Sequence, residues 1–161
     1  MSKAFTSEET PEEAPVVRPA PRLAPGEVRY VTPEGHAALR AEASRLEAER
    51  AGASDPARAE ALSRRAALVE ATLATLTVLA PEAAPEGRAG FGSWVTVEDG
   101  AGGRTTWRIV GPDEADARRG LVSVDAPVAR ALLGREVGDE VEVDRPGGRV
   151  ALTVVAVRRA P

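Results

Sequence analysis

The chain contains no cysteine, and that absence removes two chemistries at once. Disulfides and thiolate zinc sites are excluded, and the sequence is compatible with a reducing cytoplasm. Histidine is nearly absent as well. His36 stands alone, so neither a histidine-based metal site nor a Ser-His relay with a second base can be built. Aromatics make up 3% of the 161 residues, too few for a large aromatic ligand pocket. No apolar run approaches the roughly 20 residues that span a bilayer, and the opening MSKAFTSEETPEEAP lacks the apolar centre of a signal peptide. A large excess of one charge is missing too. The formal net charge is −4 with acids and bases interleaved, so a basic footprint for independent DNA binding is absent and a protein is the better partner class. A soluble, cytoplasmic protein with no membrane contact and no cofactor is expected.

What is present divides along the chain. Residues 1–29 are rich in proline, glutamate and alanine and hold few bulky apolar side chains, so a disordered tail is expected there, with Glu8, Glu9, Glu12 and Glu13 as solvating charges. A helix start follows: Thr32 is a good N-cap, Pro33 fits the first helical position, and Glu34 suits the positive end of the helix dipole. This helix should run to about Arg50, with Leu39, Ala43 and Leu46 as its apolar stripe. Gly52-Ala53-Ser54 breaks it. Asp55-Pro56 then caps and starts a second helix whose stripe reads Leu62, Ala66, Val69, Leu73, Leu76, alternating gaps of four and three. Two striped helices joined by a short loop predict an antiparallel hairpin, a short coiled coil over residues 30–80.

Residues 81–90 read as a Pro/Gly/Ala linker. After it the apolar period changes to two, which predicts strands at 93–98, 105–110, 121–124, 140–144 and 149–158. Pro127 to Leu133 reads as one short helix, with Asp125 as a possible cap and Gly134 as its stop. The fold class is α+β: the hairpin, then a small antiparallel β domain over 91–161. The glycine-rich stretches at 100–103 and 146–148 are turns, since no Gly-Lys-Ser/Thr follows either.

This second half holds the strings Phe91-Gly92-Ser93-Trp94-Val95, Trp107-Arg108-Ile109-Val110-Gly111, the run from Val122 through Asp125-Ala126-Pro127 to Gly134, Val137-Gly138-Asp139, and Pro146-Gly147-Gly148. In this order and spacing they resemble the C-terminal domain of the Gre factors, the GreA/GreB transcript-cleavage family. Val31-Thr32-Pro33-Glu34-Gly35 matches the start of the family's first helix, and Ser2 to Thr6 is similar to GreB-like proteins with added N-terminal tails.

The resemblance implies an FKBP-like C-terminal domain that docks on the β′ subunit at the rim of the RNA polymerase secondary channel. It implies a hairpin that enters the channel, where two tip acids help hold a catalytic metal and the polymerase cleaves its own backtracked RNA. The factor then lends carboxylates rather than being an enzyme itself, and contact with the elongation complex is indirect. Asp125 and Pro127 match the docking loop, so they are the candidate polymerase-binding residues. The bland alternative is that Asp125 only caps the short helix and Pro127 only starts it.

The tip departs from the family pattern. An acid followed three positions later by a second is expected, but here Asp55 is followed by Arg58. Glu60 lies five residues on and faces away at 100° per residue. Each arm also looks roughly ten residues shorter than in cleavage-competent members, about 15 Å less reach. A short arm with an acid-poor tip is similar to the branch of regulators of nucleoside diphosphate kinase. A polymerase-binding regulator without transcript cleavage is therefore expected, with no metal site. The alternative is a true cleavage-stimulating factor using Asp55 and Glu60. A prolyl isomerase, which the FKBP-like fold brings to mind, lacks the necessary aromatics, with only Phe91, Trp94 and Trp107 in this half.

Overall fold

The computed structural model describes residues 23–160. Residues 1–22, and with them most of the expected disordered tail, lie outside the described residues.

The chain forms the expected helical hairpin followed by a small β domain. Strand β1 (Arg29–Val31) leads into helix α1 (Pro33–Ala51). The helix starts where the sequence said it should, because the Thr32 hydroxyl accepts from the Gly35 N–H at 3.0 Å and Pro33 occupies the first turn. It stops at Gly52, whose N–H donates to the Ala48 carbonyl at 3.2 Å. Helix α2 (Pro56–Leu73) begins at Asp55, whose two carboxylate oxygens accept from the Ala57 and Arg58 N–H groups at 3.2 and 3.3 Å.

The two helices pack through a narrow seam. Ala43, Leu46 and Ala66 are the buried residues between them, with Leu39, Leu62 and Val69 half-buried alongside. Alanine lets the helix backbones approach closely but buries little area, so Leu46 is the main apolar anchor. Arg65 of α2 reaches across to Glu42 of α1 at 2.7 Å. The expected stripe overran the helix. Leu76 lies in strand β2 (Leu76–Val78), because α2 closes at Leu73 and the Thr75 hydroxyl donates back to the Thr72 carbonyl at 2.8 Å. Strand β2 pairs with β1 in parallel, Arg29 opposite Leu76 and Val31 opposite Val78. That pairing ties the two ends of the hairpin together.

Residues 81–90, expected as a linker, carry a 3₁₀ turn at Pro81–Ala83 and bury Pro81 and Ala89. Five strands follow: β3 (Trp94–Asp99), β4 (Arg104–Val110), β5 (Leu121–Ser123), β6 (Glu140–Arg145) and β7 (Gly148–Arg158), with helix α3 (Pro127–Leu132) between β5 and β6. Their order across the sheet is β5-β4-β3-β7-β6. Period-two alternation sends Val95 and Val97 of β3 inward, where they meet Ile109, Val141, Val143, Leu152 and Val154, and α3 covers this core with Ala129 and Leu132.

One pairing departs from a purely antiparallel sheet. β5 runs parallel to β4, Arg108 opposite Leu121, so the chain must return along the sheet between them. Residues 111–120 make that crossover and include a 3₁₀ turn at Ala117–Arg119. The capping role considered for Asp125 is also corrected. The N-cap of α3 is Ala126, without a side-chain hydrogen bond, and the Asp125 side chain points to solvent. Among the described residues no helix is long and apolar enough to cross a membrane.

Candidate functional site

Three places carry the residues of interest: the hairpin tip, the loop before α3, and the base where the hairpin meets the β domain.

At the tip, both oxygens of Asp55 are spent on the first N–H groups of α2. Glu60 lies on another face and pairs with Arg64 at 2.6 Å. Asp55 and Glu60 are therefore not brought together, and among the described residues no three metal-ligating side chains converge. Arg58 sits in the first turn of α2, where a cation opposes the helix dipole and the capping Asp55 carboxylate offsets it.

In the loop before α3, Asp125 and Pro127 stand side by side on the surface. The Ser123 hydroxyl accepts from the Asp125 N–H at 3.2 Å and so shapes the loop from inside. The Asp125 carboxylate is 66% exposed, with only Arg130 nearby at 4.0 Å. A carboxylate this free can accept hydrogen bonds from another protein without breaking any of its own. Pro127, at the first position of α3, presents a rigid apolar ring beside it. Val137 is 60% exposed in the turn between α3 and β6.

The base of the hairpin is the most connected polar region, and sequence reading missed it. The crossover 111–120 brings Asp113 and Glu114 against β1 and the start of α1. Arg29 donates to both oxygens of Asp113, at 2.5 and 2.9 Å. Glu114 accepts from the Thr32 N–H at 2.9 Å, from the Thr32 hydroxyl, and from the Gly111 N–H at 3.1 Å. Arg108 donates to Glu34 at 3.0 Å and to the Gly92 carbonyl at 3.1 Å, while its guanidinium lies 5.7 Å from the centre of the Trp94 ring. The hydrogen bond to Asp113 holds the Arg29 guanidinium above its ordinary range, against the effect of burial. A hydrogen bond at its own backbone, and then Arg108, hold the Glu34 carboxyl below the usual glutamate range. A cleft of about 450 Å³ opens beside this base, between the first turns of α1 and the crossover.

One signal for this region was present in the sequence. Glycine disfavours the first turns of a helix, yet Gly35 is there. A Cβ at that position would collide with the Glu114 carboxylate, and a Cβ on Gly111 would collide with the Tyr30 carbonyl oxygen. Both glycines mark the close approach of hairpin and domain.

Residues 84–159 match the family described as transcription elongation factor, GreA/GreB, C-terminal. The transcription elongation factor GreB of Xanthomonas axonopodis pv. citri is 36% identical over 149 residues, covering 79% of this chain and 89% of that protein. The chain belongs to the GreA/GreB family. Yersinia pestis GreB is 38% identical over 100 residues, covering 62% of this chain and 58% of that protein, so this match spans less than two thirds of the relative's length. Among solved structures, a GreA/GreB elongation factor from Nitrosomonas europaea covers 82% of this chain and 98% of its own at 28% identity, with a TM-score of 0.43.

These relatives correct one expectation. That the factor lends carboxylates rather than being an enzyme itself was expected from the mechanism that the resemblance implies. The relatives are named GreA and GreB, the factors for which the resemblance implies a part in RNA cleavage, and the likeness runs over far more of the chain than the tip. The expectation that the chain is not an enzyme therefore does not stand.

Proposed function

We propose that this GreA/GreB-family elongation factor binds RNA polymerase at the β′ rim of the secondary channel and regulates elongation by placing its short hairpin in the channel. Residues 30–80 serve as the arm, 81–90 as the connection, and 91–161 as the docking domain. Asp125 and Pro127 are the docking residues, and a cytoplasmic setting follows from the partner. The observation that carries this reading is the exposed Asp125 carboxylate two residues before exposed Pro127, on a loop whose Asp125 N–H is held by the Ser123 hydroxyl.

The arm acts by occupying space rather than by lending carboxylates. Asp55 is engaged in capping, Glu60 is engaged with Arg64, and α1, with 19 residues, is only about 28 Å long. A second reading, cleavage stimulation through Asp55, is favoured by the GreA and GreB names of the relatives.

RNA cleavage in backtracked elongation complexes, with polymerase binding recorded in the same samples, decides between them. Binding without cleavage, lost in Asp125→Ala and weakened in Pro127→Ala, is the result expected. Magnesium-dependent shortening of RNA, abolished by Asp55→Ala, would establish the second reading. No binding to core polymerase at low-micromolar concentration would sink both.

A further inference from the structure

We infer that Glu114 is a positioning residue that sets the angle of the hairpin on the docking domain. Gly35 is the position kept without a side chain so that Glu114 can do this. The inference deepens the function proposed above, because an arm that must enter a channel has to be aimed by the domain that docks.

The geometry concentrates at one point. Among the described residues, the polar links between hairpin and β domain lie at the hairpin's base, and there the Glu114 carboxylate bridges two bodies. On the hairpin side it accepts from the backbone N–H and the hydroxyl of Thr32, the N-cap of α1. On the domain side it accepts from the Gly111 N–H at the end of β4. The same Thr32 hydroxyl accepts from the Gly35 N–H, so the carboxylate is coupled directly to the first turn of the helix. A carboxylate at a helix N-terminus is also favoured by the dipole. Two further pairs flank this bridge, Arg29 with Asp113 and Arg108 with Glu34. Three separate links, from Arg29, Thr32 and Glu34, restrain the hairpin on the domain.

Gly35 is the more telling residue. It lies inside α1 with ordinary helical backbone, so nothing in its own conformation calls for glycine. Alanine there would raise helix propensity, by less than the roughly 1 kcal/mol of a helix-interior position, because Gly35 lies in the first turn. Its Cβ, however, would occupy the space of the Glu114 carboxyl group. The Glu114 side chain is flexible and can withdraw, but only by giving up the hydrogen bonds that join the two bodies. The substitution therefore separates helix stability from aim. At an arm length of about 28 Å, a swing of 20° about the base displaces the tip by about 10 Å.

The chain has no cysteine, so labels go only where they are introduced. Spin labels at Ser54→Cys on the tip and Thr105→Cys on β4 report the tip-to-domain distance by double electron–electron resonance in the free protein. One narrow distribution is expected in the parent. Gly35→Ala should broaden and shift it while leaving the thermal midpoint equal or higher, and Glu114→Ala should broaden it as well. If Glu114→Ala fails to fold, Gly35→Ala still decides. An unchanged narrow distribution in Gly35→Ala overturns the proposal, because a merely structural glycine predicts added stability and no change of aim. No polymerase is present in this measurement, so its failure is distinct from failure of the docking reading, which is tested by binding of the Asp125→Ala protein.

Discussion

Leu46→Ala should melt the hairpin and leave the docking domain folded. Leu46 is 1% exposed and is the only large side chain fully buried in the helix seam, where its buried companions are Ala43 and Ala66. Truncation removes three carbons, each contributing about 0.8 kcal/mol of transfer free energy, so about 2.4 kcal/mol is lost before any cavity term. The seam is one layer thick and open to solvent on its flanks, so its walls can close and the cavity term stays small. The result falls at the low end of the usual 2–5 kcal/mol range for such truncations. A helix pair of this length is marginal by itself, and a loss of that size is enough to unfold it.

Two signals separate the parts. Far-ultraviolet circular dichroism at 222 nm reports α1 and α2, which hold 19 and 18 residues against six in α3. Tryptophan fluorescence reports the β domain, because Trp94 and Trp107 lie on β3 and β4. In urea, the helical signal of Leu46→Ala should be lost at lower denaturant than in the parent, with the fluorescence midpoint little changed. A destabilisation below about 1 kcal/mol would show that alanine contacts rather than Leu46 hold the seam. Equal shifts in both signals would show that the arm and domain unfold as one unit.

Other outcomes follow from single contacts. Asp55→Ala removes two hydrogen bonds from the start of α2 and should cost about 1 kcal/mol, read as a lower midpoint of the helical signal. Gly111→Ala drives a Cβ into the Tyr30 backbone carbonyl and should cost about 1–3 kcal/mol, whereas Gly100→Ala, in open space, should cost far less by the same urea titration. Glu34 has a depressed carboxyl pKa, so its stabilising effect is present above the ordinary glutamate range and is lost as pH falls through its folded-state value. Glu34→Gln should accordingly flatten the acid limb of the stability profile, a small effect because the side chain is 65% exposed.

The local signals of the sequence were reliable where one residue decides one structure. Thr32-Pro33 and Asp55-Pro56 begin helices because a cap and a preset φ act within a single turn, and the period-two runs became strands within a residue or two of where they were read. Local signals failed where distant residues decide. Leu76 continues the heptad spacing, but pairing with β1 takes it into a strand. The parallel pairing of β5 with β4 depends on the crossover, which carries no periodic pattern. Asp125 looks like a cap by its spacing, yet α3 starts one residue later and leaves the carboxylate free. Asp113 and Glu114 sit in a stretch that reads only as loop. Their partners lie more than 80 positions away, Arg29 and Thr32, and no spacing rule connects them. Gly35, a residue disfavoured in a helix, was the local sign of that contact.

The parallel tie of β1 to β2 at the foot of the hairpin makes the mount independent of the lever. Both ends of the arm return to the same two-stranded strip, and beyond the first turn of α1 the side-chain hydrogen bonds and ion pairs of the described helices stay within the hairpin. A heptad added to or removed from each helix keeps the seam in register and changes the reach by about 10 Å. No residue of the crossover, the strip or the docking loop has to change with it. Lever length is thus a variable that insertions and deletions can tune freely, while the direction of the lever is held by a few polar contacts at its foot.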